Sequence, residues 1–361
     1  MKNRNSNTNT HTNTSTQSAP KAQRIKLGID VHADSYRVVR QIDNATPQPA
    51  QKFAPKAFLD WAKKQLELAE AVHSCYEAGP FGYGLHRALE KEGIHNLVIR
   101  PQNWDELGKG VKTDKTDALA LVQRLDRYVQ GNRHALATIT VPTPAQEMAR
   151  AQSRQREQLL RHRQSFEAQG RSFLLYHGIR AKGRWWQEQK WTALQVQVSE
   201  PLLKLLSVWR DLLVKVNEQL ELATTELEQA ATAQPRGLGA LTSQILEREI
   251  LDWKRFNNRR QVASLTGMCP RVHASGASLH SGSITKHGNR RIRTALIEAA
   301  WRCVKFQPDY KPLQRWRSVL LSSKASGAAK KKAIVAVGRR LAIDLWRINT
   351  GRSTAASVGM K

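Results

Sequence analysis

The stretch Ile25-Lys-Leu-Gly-Ile-Asp30 decides the fold of the N-terminal region, because a short apolar run that ends at a carboxylate is typical of a buried strand. Apolar and polar residues alternate over residues 35–42, which predicts a partner strand. The same patterns predict further strands at residues 50–54, 71–77 and 96–100, and helices at residues 58–71, 83–92 and 113–125. This order predicts an α/β fold: a mixed sheet with helices on its faces.

Four acidic residues lie at the ends of these elements. Asp30 and Glu77 end two predicted strands, while Asp114 and Asp117 lie at i, i+3 spacing in the first turn of a predicted helix. Carboxylates that converge suit a hard divalent cation, which also relieves their mutual repulsion. Taken singly, the two aspartates are explained by the helix dipole and Glu77 by an ordinary strand end. Taken together, the four predict a metal site.

The chain is strongly basic. Its 361 residues carry a net charge of +28 with a pI near 10.5, which favours a polyanionic partner, DNA or RNA. A membrane surface is the competing interpretation, but the sequence shows no basic amphipathic anchor, no apolar stretch of spanning length and no signal peptide. Three widely spaced cysteines match neither a disulfide framework nor a zinc pattern, which predicts a reducing, intracellular setting.

Composition divides the chain into segments. The predicted segments are a disordered polar tail at 1–24, a catalytic α/β domain at 25–143, a coiled-coil or helical-hairpin spacer at 144–233, a mainly α C-terminal domain at 234–350 and a second tail at 351–361. The basic excess grows along the chain. Basic and acidic residues number 16 and 14 in residues 26–140, 10 and 3 in residues 150–190, and 23 and 3 in residues 254–361.

The C-terminal segment combines a glycine turn with a serine-rich loop. The turn Gly237-Leu-Gly239 precedes a helical pattern and is similar to the hairpin of helix-hairpin-helix modules, whose backbone amides hold a phosphate. The loop holds Ser275 and Ser278 and leads into a basic helix. Predicted nucleic-acid ligands in this region are Arg271, Lys286, Asn289, Arg290 and Arg293. Ser275 is a candidate nucleophile. No His and Asp spacing identifies a triad, however, and serines that only hydrogen-bond a phosphate stay the alternative.

Aromatic and basic residues also cluster at Arg184, Trp185 and Trp186 in the predicted spacer. Indole rings stack on bases and arginine binds phosphate, so these three residues are predicted to contact nucleic acid. The alternative is that the tryptophans pack inside a helical bundle, and the sequence favours neither role.

Several motifs together resemble the DEDD transposases of bacterial insertion sequences. The N-terminal motifs are Gly28-Ile-Asp-Val-His32, Tyr76-Glu-Ala-Gly79 and Lys112-Thr-Asp-Lys-Thr-Asp-Ala118. The C-terminal motifs are Gly237-Leu-Gly-Ala-Leu-Thr242, Arg255-Phe-Asn-Asn-Arg-Arg-Gln-Val-Ala263, Ser275-Gly276 and Ile284-Thr-Lys-His-Gly-Asn289. They follow the order of the IS one-ten family, and residues 47–51 and 183–186 are similar to its IS eleven-eleven subgroup.

The resemblance implies a RuvC-like, RNase H-like N-terminal domain, a coiled-coil spacer and a C-terminal transposase domain. It implies that Ser275, or Ser278 as second choice, forms a phosphoserine link to DNA. The implied Mg²⁺ ligands are Asp30, Glu77, Asp114 and Asp117. The implied partners are a structured noncoding guide RNA, donor and target DNA, and further copies of the chain in a dimer of dimers whose active sites combine two subunits. The implied location is the bacterial cytoplasm, at the nucleoid.

Two other functions stay open. A Holliday-junction-type nuclease would attack DNA with metal-activated water and form no covalent intermediate. A noncatalytic nucleic-acid-binding protein would use the carboxylates only for structure.

Overall fold

Two compact units make up the chain, Met1–Val141 and Pro142–Lys361. The computed structural model describes residues 21–101, 114–232, 235–275 and 278–361. Within these ranges, no helix combines the length and the apolar character needed to cross a membrane. Each unit is described separately below.

A five-stranded mixed sheet forms the centre of the first unit. Its strands are β1 (Ala22–Val31), β2 (Tyr36–Ile42), β3 (Gln51–Phe53), β4 (Ala69–Glu77) and β5 (His95–Ile99). The spatial order is β3-β2-β1-β4-β5. The first three strands pair antiparallel, whereas β1, β4 and β5 pair parallel. Parallel neighbours need crossover connections, which the helices supply.

Among the described residues of the first unit, helices cover both faces of this sheet: α1 (Pro55–Leu68), α2 (Gly84–Lys91) and α3 (Asp114–Val129). Side chains alternate between faces along a strand, so β1 contributes to both. Ile25, Leu27 and Ile29 have no exposed surface and belong to the core that α1 and α2 complete. Lys26 and Gly28 face α3, and the buried Lys26 ammonium pairs there with Asp126.

Two long helices and a short one between them open the described part of the second unit: α4 (Pro144–Tyr176), α5 (Glu188–Gln195) and α6 (Glu200–Gln229). Helix α4 has 33 residues and begins with a capping box between Thr143 and Gln146, which satisfies backbone donors of its first turn. Every seventh residue of α6 from Leu206 onward is a buried leucine: Leu206, Leu213, Leu220 and Leu227. This spacing keeps one seam of α6 against a partner helix.

The partner of α6 is α4, which runs antiparallel to it. Arg156 near the start of α4 donates to Thr224 near the end of α6, and Arg163, two turns later, donates to Asn217, two turns earlier. The long polar helices that the sequence predicts therefore form a helical hairpin.

The rest of the second unit is mainly helical. Its helices are α7 (Ala240–Ile250), α8 (Arg259–Thr266), α9 (Arg290–Phe306), α10 (Lys311–Gln314), α11 (Arg317–Leu321) and α12 (Gly327–Asn349). The strands β6 (Pro270–Ser275) and β7 (Ser278–Ile284) form an antiparallel hairpin. Helices α9 and α12 pack in the core, where Ala295, Ala299, Ala333 and Val337 are buried and small side chains allow a close approach.

The predicted sequence of regions is confirmed: a mixed α/β region comes first and a mainly helical region follows. The predicted serine-rich loop is corrected, because the residues on both sides of Gly276 and Ala277 pair as strands β6 and β7. The first 20 residues of the predicted N-terminal tail lie outside the described residues.

Both predicted tails also need correction at their inner ends. Strand β1 begins at Ala22, within the predicted 1–24 tail. The Arg24 amide donates to Asp43 Oδ1, and the Arg24 carbonyl accepts from the Asp43 amide. Residues 351–361 fold back on the second unit, where Val358 and Met360 are buried. Burial of these apolar side chains stabilises the ordered conformation of the C-terminal residues.

Candidate functional site

Asp30 and Glu77 are neighbours at the edge of the sheet where the C-terminal ends of the adjacent strands β1 and β4 lie. The parallel register pairs the residues that directly precede them, so the two acids lie side by side on strands about 4.8 Å apart. They also share a face, because the residues two positions earlier, Gly28 and Cys75, both contact α3. One edge and one face of the sheet therefore hold both carboxylates.

Gly28 lets the first turns of α3 approach this edge. A Cβ at Gly28 would lie 2.4 Å from the Ala118 carbonyl oxygen and 2.5 Å from the Val122 amide nitrogen, closer than real contacts allow. Asp117 directly precedes Ala118, so the turn that carries it packs against β1, the strand that carries Asp30. Helix α3 thus brings a third predicted ligand to the face that holds Asp30 and Glu77.

The oxygen donors of this edge suit Mg²⁺, since hard cations prefer carboxylates. The Asp30 carboxylate is 22% exposed, and its Oδ2 lies 3.0 Å from His32 Nε2. In the part of the chain that the structure describes, no group of three or more His, Cys, Asp or Glu is arranged to hold a metal ion. The Asp114 side chain lies outside that part. The four-ligand site therefore stays a prediction.

Ser275 and Ser278 lie opposite each other at the tip of the β6–β7 hairpin. One step toward its base on the same face, His273 lies opposite His280. All four residues are exposed. Because side chains alternate along each strand, two hydroxyls and two imidazoles project from one face of the hairpin.

Tightly packed backbone holds the base of this hairpin. A Cβ at Gly288 would lie 2.4 Å from the Leu265 carbonyl oxygen, so the segment after β7 packs directly on the end of α8. Lys286, at φ 57°, donates its amide to the Gly267 carbonyl. Arg293 Nη1 donates to the Thr266 carbonyl at 2.9 Å. The hairpin therefore extends from a fixed base.

Asn289 has a structural role in this base, which corrects its prediction as a phosphate ligand. Its Oδ1 accepts from the backbone amides of Arg291 and Ile292 and caps α9. Its Nδ2 donates to Glu249 Oε2 at 2.8 Å. Both ends of the Asn289 side chain are thus already bonded within the protein.

Glu249 is a fully buried carboxylate that links three helices. Arg154 of α4 donates to it through Nε at 3.0 Å and Nη2 at 3.1 Å, a bidentate pair. Burial alone would raise the pKa of Glu249. Hydrogen bonds from Arg154 and Asn289, with the charges of Arg154 and Arg150, outweigh burial and hold that pKa below its ordinary value. Glu249 therefore stays ionised and joins α4 to the base of the hairpin.

The other predicted basic ligands differ in exposure. Arg184, Arg271, Lys286 and Arg290 are exposed, whereas Arg293 is half-buried and bonded to backbone. Exposure leaves the first four guanidinium and ammonium groups accessible to phosphate. Their contacts with nucleic acid stay predictions.

The structure supports the packing role of Trp185 and Trp186. Their side chains are 0% and 5% exposed, and both indole N–H groups donate to Glu167 of α4. Helix α4 has Gly170 where the Trp185 ring lies, because a Cβ there would come within 2.0 Å of the indole. No exposed ring face is left for a base, which corrects their assignment to the nucleic-acid-binding set.

The glycine turn before α7 borders a cavity of about 570 Å³. Gly237 and Gly239 have φ of 85° and 69°, the left-handed region that glycine adopts without strain. The Arg302 guanidinium fixes the turn by donating to the carbonyls of Gly237 and Leu238. Helices α4 and α9 supply both arginines and glutamates to the cavity wall, α6 and α7 add Glu228 and Glu249, and apolar side chains line the rest.

Comparison with known proteins identifies the family. Residues 232–315 match the family described as "Transposase IS116/IS110/IS902 family". The putative transposase y4rJ of Sinorhizobium fredii is 31% identical over 304 residues, which cover 76% of each chain. The chain belongs to the IS116/IS110/IS902 family of transposases. The transposase for insertion sequence element IS1111A of Coxiella burnetii is 26% identical over 289 residues, which cover 74% of this transposase and 75% of that relative.

Family membership makes this chain an enzyme of DNA transposition. The family match contains the glycine turn, the β6–β7 hairpin and helix α9. The first unit of the transposase, with Asp30 and Glu77, precedes that match.

Two features of the site escaped the sequence analysis. His273 and His280 flank the serines in the mirror-symmetric pattern His-x-Ser-x-x-Ser-x-His, which becomes a signal once residues 270–284 are recognised as a hairpin. No local sequence pattern indicates the role of Glu249, since its partner Arg154 lies 95 positions earlier in the chain.

Proposed function

We propose that this transposase is an RNA-guided DNA recombinase that joins donor element and target DNA through a covalent phosphoserine intermediate. The observation that carries the proposal is the arrangement of the first unit, where Asp30, Glu77 and the first turns of α3 share one face. A second observation supports it: Ser275 lies at the exposed tip of a hairpin in the basic unit.

The proposed metal ligands are Asp30, Glu77, Asp114 and Asp117. Bound Mg²⁺ would neutralise charge on the scissile phosphate and make its phosphorus more open to attack. The protein's own contribution is to hold the acids on a fixed sheet edge and helix turn. Rigid secondary structure positions such groups better than loops do.

Ser275 is the proposed nucleophile, and Ser278 is the second choice. The Ser275 oxygen forms a bond to phosphorus as the bond from phosphorus to the leaving deoxyribose oxygen breaks. The phosphodiester energy is kept in the serine ester, so strand exchange needs no free double-strand break. Arg271 and Lys286, both exposed near this hairpin, would hold the DNA phosphates.

We also propose the finer fold assignments. The order of three antiparallel strands followed by two parallel ones supports an RNase H-like, RuvC-like first unit. The seven-residue leucine spacing of α6 supports a coiled coil between α4 and α6. The two glycines before α7 support a helix-hairpin-helix-like segment.

The proposed partners are supported by charge and by the fact that the carboxylates and the serine belong to different units of the chain. Residues 254–361 carry 23 basic and 3 acidic residues, which suits a protein that holds structured guide RNA together with two DNA duplexes. A dimer of dimers would combine the carboxylates of one subunit with the serine of another.

The test is a covalent-adduct assay on a DNA fragment that carries one element end and its natural flanks. The full-length protein, purified with its bound RNA, is incubated with this DNA and Mg²⁺, and adducts are separated by denaturing electrophoresis. Ser275→Ala should abolish both the adduct and strand exchange, while Ser281→Ala, on the opposite face of the same hairpin, should retain both. Asp30→Asn should stop the reaction without unfolding the protein.

The hydrolytic alternative gives the opposite result. A Holliday-junction-type nuclease would continue to cut DNA after Ser275→Ala, because water attacks. Full recombination by the Asp114→Asn, Asp117→Asn double variant would refute the metal site.

A further inference from the structure

The β6–β7 hairpin carries further polar side chains beside the proposed nucleophile. Ser275 is paired with Ser278, and His273 is paired with His280, in a two-stranded antiparallel ladder. Directly opposed residues of such a ladder lie on the same face, with Cβ atoms about 5 Å apart, and residues two apart on one strand also share that face. The four polar side chains therefore form one continuous patch.

Gly282 extends this patch toward the base of the hairpin. A Cβ at Gly282 would lie 3.6 Å from His273 Nε2 and 3.6 Å from Arg271 Cβ. Arg271 and His273 thus project on the side where Gly282 has no side chain. The order along this face is cation, imidazole pair and hydroxyl pair, and every member is exposed.

We propose that His273 and His280 are the general acid–base pair of the transposition reaction, acting on Ser275. This proposal rests on the proposed function of Ser275 as nucleophile. It adds the source and the destination of the proton, which the carboxylates and the serine leave open. Either histidine lies within two residues of a hydroxyl along its strand, and each also lies diagonal to the other serine.

The proposed step balances its atoms and its charge. The Ser275 hydroxyl gives its proton to a neutral imidazole as its oxygen bonds to phosphorus. The bond from phosphorus to the leaving deoxyribose oxygen breaks, and an imidazolium of the pair protonates that oxygen. Resolution by strand exchange runs the same steps backwards: the incoming hydroxyl loses a proton to imidazole, and serine recovers one.

The alternative is that the two rings only stabilise the hairpin as a cross-strand pair. Exposure argues against this role, because two exposed imidazoles gain little from burial. Arg271 is the other charged side chain of the hairpin sequence, and Lys286 and Arg293 lie at its base. His287 also lies at this base, next to Lys286. Of the side-chain types on this face, imidazole can both accept and donate a proton, whereas the guanidinium of Arg271 only donates.

The experiment measures the initial rate of covalent adduct formation between pH 5.5 and 8.5. The DNA fragment with the element end is used with His273→Gln, His280→Gln and the double variant. Loss of general acid–base catalysis should slow the double variant by about 10²- to 10⁴-fold. The wild-type rate should pass through a maximum within this pH range, because the step needs one neutral imidazole and one imidazolium, and the double variant should lose this dependence. Two variants serve as controls that keep wild-type rates: Ser281→Ala on the opposite face and His134→Gln in an exposed turn of the first unit.

A DNA substrate with sulfur in place of the leaving oxygen separates catalysis from hairpin stability. A thiolate leaves without being protonated, so this substrate should restore part of the lost rate in the histidine variants. A double variant with the wild-type rate and pH profile would overturn the inference, as would an equal loss at every pH that sulfur does not restore. Adduct formation by Ser275→Ala would instead refute the proposed nucleophile, so the two failures are distinguishable.

Discussion

Glu249 shows how a single residue connects distant parts of the second unit. Its side chain has no exposed surface and is surrounded by Arg150 and Arg154 of α4, Arg291 of α9 and the amide of Asn289. A buried carboxylate is stable in such a place only because several donors compensate for lost hydration. The same contacts set the position of Asn289, which caps α9 and lies in the hairpin base.

Glu249→Gln should lower the free energy of unfolding by about 3 kcal/mol, because it leaves half-buried guanidinium groups without their buried counter-charge. The measurement is urea unfolding at pH 7. Glu218→Gln is the matched control: Glu218 is half-exposed and pairs with Lys215 on the same helix, so its change should stay within about 0.5 kcal/mol.

The pH dependence follows from the lowered pKa of Glu249. A carboxyl whose folded pKa is depressed stabilises the fold above its unfolded value, about 4.3, and loses that contribution as pH falls through the folded pKa. The wild-type protein should therefore lose more stability than Glu249→Gln below about pH 4. Equal acid sensitivity of the two proteins would show that the network contributes nothing.

Helix α3 illustrates how whole elements depend on the space between them. It packs on β1 across Gly28 and on β4 through a contact of Cys75 Sγ with the Leu121 carbonyl at 3.5 Å. This packing keeps the turn with Asp117 beside the sheet edge that holds Asp30 and Glu77. In the second unit, Gly170 has the corresponding role, because it admits the Trp185 ring between helices.

Gly28→Ala should displace α3, since the new methyl group would overlap the Ala118 carbonyl and the Val122 amide. Overpacking of this kind costs about 1–3 kcal/mol, and adduct formation should fall further than stability alone explains. Gly84→Ala is the control, because a Cβ at Gly84 meets no atom within 4 Å. Thermal unfolding and the covalent-adduct assay together test the prediction, and identical behaviour of the two variants would contradict it.

Charge distribution is the property that belongs to the whole molecule. Residues 26–140 are nearly neutral, with 16 basic and 14 acidic residues, while residues 254–361 hold most of the net charge. A near-neutral region tolerates clustered acids, and a basic region attracts polyanions from a distance. This division of charge fits an enzyme whose acidic site must meet DNA that another region binds.

RNA should copurify with the full-length protein at about 0.1 M salt and be released at about 1 M, because phosphate contacts displace counterions. Replacement of Lys330, Lys331 and Lys332 by alanine should weaken RNA binding at all sequences and reduce the slope of log affinity against log salt by up to about 3. The matched control replaces three lysines of the near-neutral region with alanine: Lys56, Lys63 and Lys64. An equal effect of both triple variants would show that the charge asymmetry does not direct binding.

Local patterns in the sequence determined the elements of this transposase. Apolar runs and alternation predicted the five strands of the first unit, and strand-end and helix-start positions predicted that Asp30, Glu77, Asp114 and Asp117 form a group. These predictions depend on periods of two and 3.6 residues, which a chain expresses before it folds. The motifs within residues 232–315 point to the family in a similar way, because each motif is a short continuous stretch of sequence that can be read without the fold.

Only the tertiary structure decided what depends on distant residues meeting. Trp185 and Trp186 are buried, and the Asn289 amide donates a hydrogen bond to Glu249. His273 lies opposite His280 on the face of the hairpin that carries Ser275. Burial and cross-strand pairing are set by packing between segments far apart in sequence, so a local pattern does not determine them. The residue types of the candidate site were therefore visible in the sequence, while the partners of each group were not.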